Sequence, residues 1–277
     1  MTSVKQSFCL NGRVVIITGG AGLLGFKHAE AIAEMDGIPI LIDINKDKLD
    51  IAVRELKKSF GVNKIVGSYV CDITNKSQLE TVLKSILEEY GRIDGLINNA
   101  AIDPKVDTQG LNSSRLENYP LSSWNNEINV GLTGALLCSQ VFGTYMAEKN
   151  KGVIVNIASD LGIIAPNQSL YHQEGVEDNQ QSVKPVTYSV IKHGLIGLTR
   201  YLATYWAEKG VRCNALAPGG IFNDQNEIFI QKIKDLIPMK RMANSNEYKS
   251  AIVFLVSDAS SYMTGTVLSI DGGRTCW

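Results

Sequence analysis

The 277-residue chain reads as a single α/β domain, a parallel sheet doubly wound with helices. Short runs rich in Val and Ile alternate with longer amphipathic stretches, as in strands joined by helical crossovers. The strand runs are apolar at successive positions rather than alternate ones, so helices are expected on both faces of the sheet. No internal repeat, low-complexity tract or linker interrupts this rhythm, and residues 1–277 are therefore expected to form one unit.

RVVIIT (13–18) is the first strand candidate, followed by IPILID (38–43), KIVGSYVC (64–71), RIDGLIN (92–98), GVIVNIA (152–158), VRCNALA (211–217) and TVLSID (266–271). Helices are predicted near 23–36, 46–60, 75–90, 122–148, 188–209, 226–237 and 246–257. Two polar segments, near 103–121 and 165–187, break the alternation and precede long helices. They fall on the carboxyl side of the sheet, where α/β proteins bind ligands, and are predicted to border a substrate site.

Composition narrows the function. Hydrophobic residues make up 44% of the chain, enough for a sizeable core, and a net charge of −1 gives no support to nucleic-acid or anionic-membrane binding. No uninterrupted apolar run reaches the ~18 residues of a membrane span, and no secretory signal is recognisable. Cys9, Cys71, Cys138, Cys213 and Cys276 are scattered without CxxC spacing, which points to reduced thiols in a cytoplasmic protein. Neither His172 nor His193 has a cysteine or carboxylate cluster around it, so no metal site is predicted.

The first strand runs into TGGAGLLG (18–25) and then a helix, where Gly20, Gly22 and Gly25 match G-x-G-x-x-G in its required context. Such a turn brings backbone amides and a helix N-terminus up to a pyrophosphate. The second strand ends in Asp43, 21 positions after Gly22, the spacing of an acid that binds a ribose diol. A carboxylate there would repel a 2′-phosphate, so Asp43 selects NAD over NADP, although Lys46 and Lys48 lie close by. The other reading of Asp43 is a cap for the turn that follows it.

Tyr188 and Lys192 stand at i and i+4 of a predicted helix, on one face. A free phenol titrates near about 10, and a neighbouring ammonium favours the phenolate, so the pair suits general acid/base work near neutral pH.

These residues belong to a longer ordered set: TGGAGLLG, CDIT (71–74), NNAA (98–101), Asn129 in INVGLTG, Ser159 in VNIASD, YSVIK (188–192), APGGI (217–221) and SIDGG (269–273). In that order the chain resembles the classical, single-domain short-chain dehydrogenases/reductases. The resemblance implies a seven-stranded Rossmann-type sheet, nicotinamide chemistry on an alcohol or ketone, and a homotetramer or homodimer. It makes Tyr188 the acid/base, Lys192 its partner and the holder of the nicotinamide ribose, Ser159 the group that binds the substrate oxygen, and Asn129 the support of a water-linked proton path. The cofactor would meet Gly19, Gly22, Leu23, Leu24 and Gly25 in the loop, Asp72 and Ile73 beside the adenine, Asn99 beside its ribose, and Pro218, Gly219 and Ile221 near the nicotinamide. Asn98 reads as structural, an amide tying neighbouring strands together. A narrower resemblance, carried by GGAGLLG, NVGLTG and EDNQQSVKPVTYSVIKHG, is to bacterial members of surface-glycan pathways such as flagellin modification and nonulosonate sugar synthesis.

Four departures stand out. Leu23 occupies an inner glycine position, giving the loop form typical of nucleotide-sugar epimerases and dehydratases. Ala101 and Asn223 replace the glycine and threonine usual in the family. Tyr188 follows Ser159 by 29 positions, more than twice the family's usual gap, and the extra residues are acidic and polar. That insertion reads either as a solvated loop or as a lid over a polyhydroxylated ligand. The function expected is an NAD-dependent oxidoreductase acting on a small, polar, sugar-like alcohol or ketone. The alternatives are a redox-neutral nucleotide-sugar epimerase or dehydratase that retains NAD, and a non-catalytic NAD-binding regulator.

Overall fold

The computed structural model describes residues 3–102 and 114–277. Part of the polar segment predicted near 103–121, residues 103–113, lies outside the described residues. Seven parallel strands form one sheet: β1 Val14–Thr18, β2 Ile38–Asp43, β3 Gly67–Val70, β4 Gly95–Asn98, β5 Gly152–Ile157, β6 Val211–Pro218 and β7 Val267–Ile270. Their order is β3-β2-β1-β4-β5-β6-β7, so the winding reverses between β1 and β4. A crevice at such a switch point, outside the carboxyl ends of the strands, is where ligands bind in this architecture.

The crossovers are helices α1 Leu23–Glu34, α2 Lys46–Phe60, α3 Lys76–Tyr90, α4 Leu121–Glu148 and α5 Val186–Tyr205, followed by α6 Glu227–Asp235 and α7 Lys249–Val256. Local chemistry sets their ends. Asn45 and Asn75 accept from the amides of Lys48 and Gln78 at the starts of α2 and α3, satisfying donors that a helix leaves open. Gly91 closes α3 in the left-handed conformation, its N–H on Leu87 O.

All five residues of β1 are buried, and they divide by face. Val14 and Ile16 pack in one core with Ile40, Ile42, Leu79, Phe142 and Ile154. Val15 and Ile17 pack in the other with Leu41, Ile97, Val153, Ile252 and Leu255. Each such side chain contributes about 1.5–3 kcal/mol of apolar burial, which explains why the runs are apolar throughout.

Helix α4 has the length and mean hydropathy (1.2) of a membrane span, although its sequence contains no unbroken apolar run. In the fold, 56% of its apolar window is buried. It is also interrupted: Asn129–Thr133 and Ser139–Gly143 are π-turns, the first closed by Gly134 N–H on Asn129 O.

Candidate active site

The glycine loop leaves β1 at the switch point. Gly19 is left-handed (φ 60°), and a Cβ on Gly25 would fall 2.1 Å from Gly19 O, so the turn closes only with glycine there. Asn99, just past β4, locks the turn. Its side-chain amide donates to Thr18 O (3.0 Å) and Gly19 O (3.2 Å), and its backbone N–H donates to Thr18 Oγ1 (3.0 Å). Gly22 and Leu23 are exposed at the mouth of the loop, with Leu24 partly buried behind them. Leu23, the departure from the classical pattern, therefore opens α1 without entering the core.

Asp43 closes the same corner. Its Oδ2 accepts from Ala21 N–H (3.3 Å) and its Oδ1 from Asn45 N–H (3.1 Å). The capping alternative is thus correct in part, but Asn45 rather than Asp43 caps α2, and Asp43 still reaches the glycine loop. Lys46 pairs with Asp50 at 2.6 Å. Asp72 spends one carboxylate oxygen on Thr74 N–H and Oγ1, and the Ile73 side chain packs into the core against the site of Gly134. Pro218 ends β6, Gly219 donates to Ile270 O (3.0 Å), and Ile221 O accepts from the Gln225 side chain (2.8 Å).

The substrate half gathers where β5 ends against α5. Lys192 is buried and donates from Nζ to Ile157 O (2.8 Å), two residues before Ser159. The same ammonium lies 5.6 Å from the Tyr188 ring centroid, so the i, i+4 pair shares a face as predicted. A second cation is closer: Lys184 Nζ stands 3.9 Å from that centroid. Ser159 donates from Oγ to Asp160 Oδ1 (2.7 Å), which also accepts Leu161 N–H. Arg274, near the carboxyl end of the chain, reaches Asp160 Oδ2 at 3.0 Å, and both members of this ion pair are buried. Asn129 is exposed on the π-turn of α4. That turn runs close to α5, since a Cβ on Gly131 would lie 2.8 Å from Ile191 Cγ2.

Several of these groups had no sequence signal. Asp160 and Arg274 are 114 positions apart, and only the folded tail joins them. Glu127 is buried, and Tyr119 Oη (2.8 Å) and Thr187 Oγ1 both donate to its carboxylate, holding the start of α5 beside Tyr188. His28 is buried at an i, i+3 position from Gly25 on the inner stripe of α1, a place the helical spacing could have flagged. Among the described residues neither ring nitrogen meets a hydrogen-bond partner in good geometry, although the Asn99 carboxamide is close by. Burial pushes the imidazole down from 6.5 to about 3, with the neighbouring Asn99 carboxamide offsetting part of the fall. The imidazole is neutral at physiological pH. Asn98 is structural as expected, donating to Asn156 Oδ1 (2.8 Å) and Ser139 Oγ (3.2 Å).

The polar insertion is knitted rather than loose. Gln181 is buried, accepting Gln173 N–H (2.8 Å) and donating to Gln173 O (2.9 Å) and Val176 O (2.6 Å). Arg115 ties it to the preceding segment through Asp178 O (2.8 Å). Among the described residues there is no group of His, Cys, Asp and Glu that could hold a metal ion. A cavity of about 560 Å³ opens at the opposite, amino end of the sheet around Arg13, Lys151 and Arg212, and none of the predicted site residues lines it.

A family model described as enoyl-(acyl carrier protein) reductase matches residues 20–275. The crystal structure of a short-chain type dehydrogenase/reductase from Mycobacterium marinum superposes with a TM-score of 0.83 at 28% identity, over 99% of this chain and 100% of the other. The chain is a short-chain dehydrogenase/reductase. It is similar to 3-oxoacyl-[acyl-carrier-protein] reductase from Thermotoga maritima, with 33% identity over 95% of this chain and 98% of the relative. It is 31% identical to post-translational flagellin modification protein A of Campylobacter coli, over 95% of this chain and 98% of that one. An NADP-dependent mannitol dehydrogenase from Alternaria alternata is 32% identical over 98% and 96%. As a member of the family, this short-chain dehydrogenase/reductase is an NAD(P)-dependent oxidoreductase that moves a hydride at an alcohol or ketone carbon.

Proposed function

We propose that the enzyme uses NAD to oxidise or reduce a polar, sugar-like alcohol or ketone, with Tyr188 as acid/base. The observation that carries the mechanism is the seat of Lys192, whose ammonium sits on Ile157 O and beside the Tyr188 ring, so the Tyr–Lys pair meets the strand that delivers Ser159. The loop closed by Gly19, Gly25 and Asn99 suits a dinucleotide pyrophosphate, because the turn packs so tightly onto the start of α1 that a Cβ at Gly25 would strike Gly19 O. Gly22, Leu23 and Leu24 belong to the same loop. Asp43 is the ribose ligand, with Asp72, Ile73 and Asn99 toward the adenosine and Pro218, Gly219 and Ile221 toward the nicotinamide.

When bound, the cofactor supplies or accepts the hydride. The chain's own work is on the proton and the oxygen. Tyr188 Oη holds the proton that the substrate oxygen gains in reduction or gives up in oxidation, and Lys192 stabilises the phenolate form. Ser159 reaches the substrate oxygen once its hydroxyl turns away from Asp160, a rotation about one bond that converges two donors on developing negative charge. Asn129, exposed on the π-turn, supports the proton path to Lys192.

The Asp43 carboxylate at the loop and the engagement of Lys46 by Asp50 favour NAD over the NADP named for the Alternaria relative. The knitted polar insertion and the mannitol dehydrogenase relative favour a hydroxylated substrate, against which the 3-oxoacyl-[acyl-carrier-protein] reductase relative sets an acyl thioester as the competing class. Tyr201 and Tyr205 are exposed and stacked on α5, 5.6 Å apart, and Leu136 is exposed on α4, a surface suited to a second copy in a homodimer or homotetramer. Five free thiols fit a reducing, cytoplasmic setting.

The test follows NADH absorbance with sugars, sugar phosphates, nucleotide sugars, polyols and hydroxyacyl thioesters. Turnover on a hydroxylated compound is expected, and Tyr188→Phe should lower it by about 10²–10⁴-fold while still binding NADH. Activity confined to thioesters would overturn the substrate class. Wild-type turnover in Tyr188→Phe would overturn the mechanism.

A further inference from the structure

The 28 residues between Ser159 and Tyr188 include, four positions before the tyrosine, Lys184, which the family comparison does not explain. We infer that Lys184 is a second positioning cation for Tyr188, set on the ring by the polar insertion, and that it shares with Lys192 the stabilisation of the phenolate. This rests on the reading of Tyr188 as the acid/base.

Three observations carry it. The Lys184 ammonium is 3.9 Å from the ring centroid, inside the range of a direct cation–π contact and nearer than the 5.6 Å of Lys192. The backbone under it is fixed on both sides: Lys184 N–H donates to Gln168 Oε1 (2.9 Å), Val183 N–H donates to Ser114 Oγ (3.2 Å), and buried Pro185 starts α5. The buried Gln181 then closes the insertion upon itself through Gln173 and Val176. The insertion's contribution is to fix the backbone under the lysine through Gln168 and Gln181.

The physical effect has a definite sign. A phenolate spreads charge into its ring, so a cation on the ring interacts more strongly with the ionised form than with the neutral one. Two cations on one ring also restrict its rotation. The elements packed against α5 offer other charged groups. Asp160 on the turn after Ser159 is held by Arg274, and Glu127 on α4 is engaged by Tyr119 and Thr187. Among the described residues, Arg212 and Cys213 lie on β6, Glu208 and Lys209 on the turn after α5, and His193 and Arg200 on α5 itself. Against these, Lys184 and Lys192 both stand over the Tyr188 ring, at 3.9 and 5.6 Å from its centroid.

The test reads Tyr188 directly, without substrate. The ultraviolet tyrosinate band is titrated in wild type and in Tyr188→Phe, and their difference isolates this phenol. The same difference is taken between Lys184→Met and Lys184→Met/Tyr188→Phe. Removing the lysine should move the titration upward by roughly half a unit to one unit. Lys184→Arg, which keeps a ring-stacking cation, should restore it. With a turnover substrate, the pH limb that reports Tyr188 should move by the same amount in Lys184→Met. Coincident titrations in wild type and Lys184→Met would overturn the proposal, as would a raised KM with an unmoved pH limb, which would make Lys184 a substrate ligand instead. A shifted titration in an enzyme that turns over nothing would uphold Lys184 and sink the acid/base reading.

Discussion

The two halves of the sheet hold their ligand-facing groups by different means. The nucleotide half, β1 to β3 with the residue just past β4, is held around its loop mainly by neutral groups: Asn99 on Thr18 and Gly19 and a tight glycine contact, with the Asp43 and Asp72 carboxylates each bonded to backbone amides. The substrate half is built from charge. Asp160 with Arg274, Lys192 on a carbonyl, Lys184 on a ring and Glu127 beneath two hydroxyls all lie within or beside buried surroundings. A backbone cradle suits a cofactor whose shape is constant. Side-chain charge suits the half that must move protons and recognise one substrate among many, and it makes that half the more sensitive to single changes.

The largest effect should come from breaking charge in the substrate half. Arg274→Met leaves Asp160 buried and unpaired, a loss of about 3–5 kcal/mol visible as a lowered midpoint in chemical denaturation. The double variant Arg274→Met/Asp160→Asn should recover much of it, and failure to recover would mean the arginine stabilises the tail by packing instead. The nucleotide half has its own weak point in His28. Its folded pKa is depressed to about 3 from 6.5, so the unfolded chain takes up a proton that the fold refuses. Stability is therefore full above about pH 6.5 and declines as pH falls toward 3, by about 2 kcal/mol at pH 5. His28→Leu should flatten that part of the stability profile; an unchanged slope would assign it to other groups. The smallest effect concerns cofactor choice. Asp43→Ala should narrow the preference for NADH over NADPH by about tenfold in paired binding titrations, and a constant ratio would place ribose recognition elsewhere.

Most of the fold was legible because burial on both faces leaves an unmistakable apolar run. IPILID at 38–43 is β2 residue for residue, and the 46–60 helix is α2 without adjustment. Where the sequence misled, pairing decided. KIVGSYVC at 64–71 shrinks to Gly67–Val70 because the ladder starts at Gly67 opposite Ile40, while Lys64 N–H closes a turn on Gly61 O. The helix expected at 246–257 begins as a 3-10 turn at Ser245–Tyr248, with Asn244 and Glu247 forming a capping box, and becomes α-helical at Lys249. The helix drawn to 209 stops at Tyr205 and passes through another 3-10 turn to left-handed Gly210.

The candidate site was legible as far as motifs reach. Tyr188 and Lys192 announce themselves by spacing along one helix, and Asp43 by its distance from the glycines. Asp160 with Arg274, and Glu127 with Thr187, carry no such mark. Each pair is remote in sequence, and each becomes meaningful only when helices and tail are folded over the ends of the strands. The length of the insertion was visible, but not its internal ties through Gln181, because an amide that bonds backbone looks in sequence like any solvated polar residue.

The ion pair at the chain's far end has a practical side. The guanidinium rests on the same carboxylate that accepts the Ser159 hydroxyl. A proteolytic nick or an inserted tag between residues 271 and 277 that displaced Arg274 would therefore unsettle the serine as well. Any activity lost in handling this enzyme should be traced first by intact-mass spectrometry of that segment.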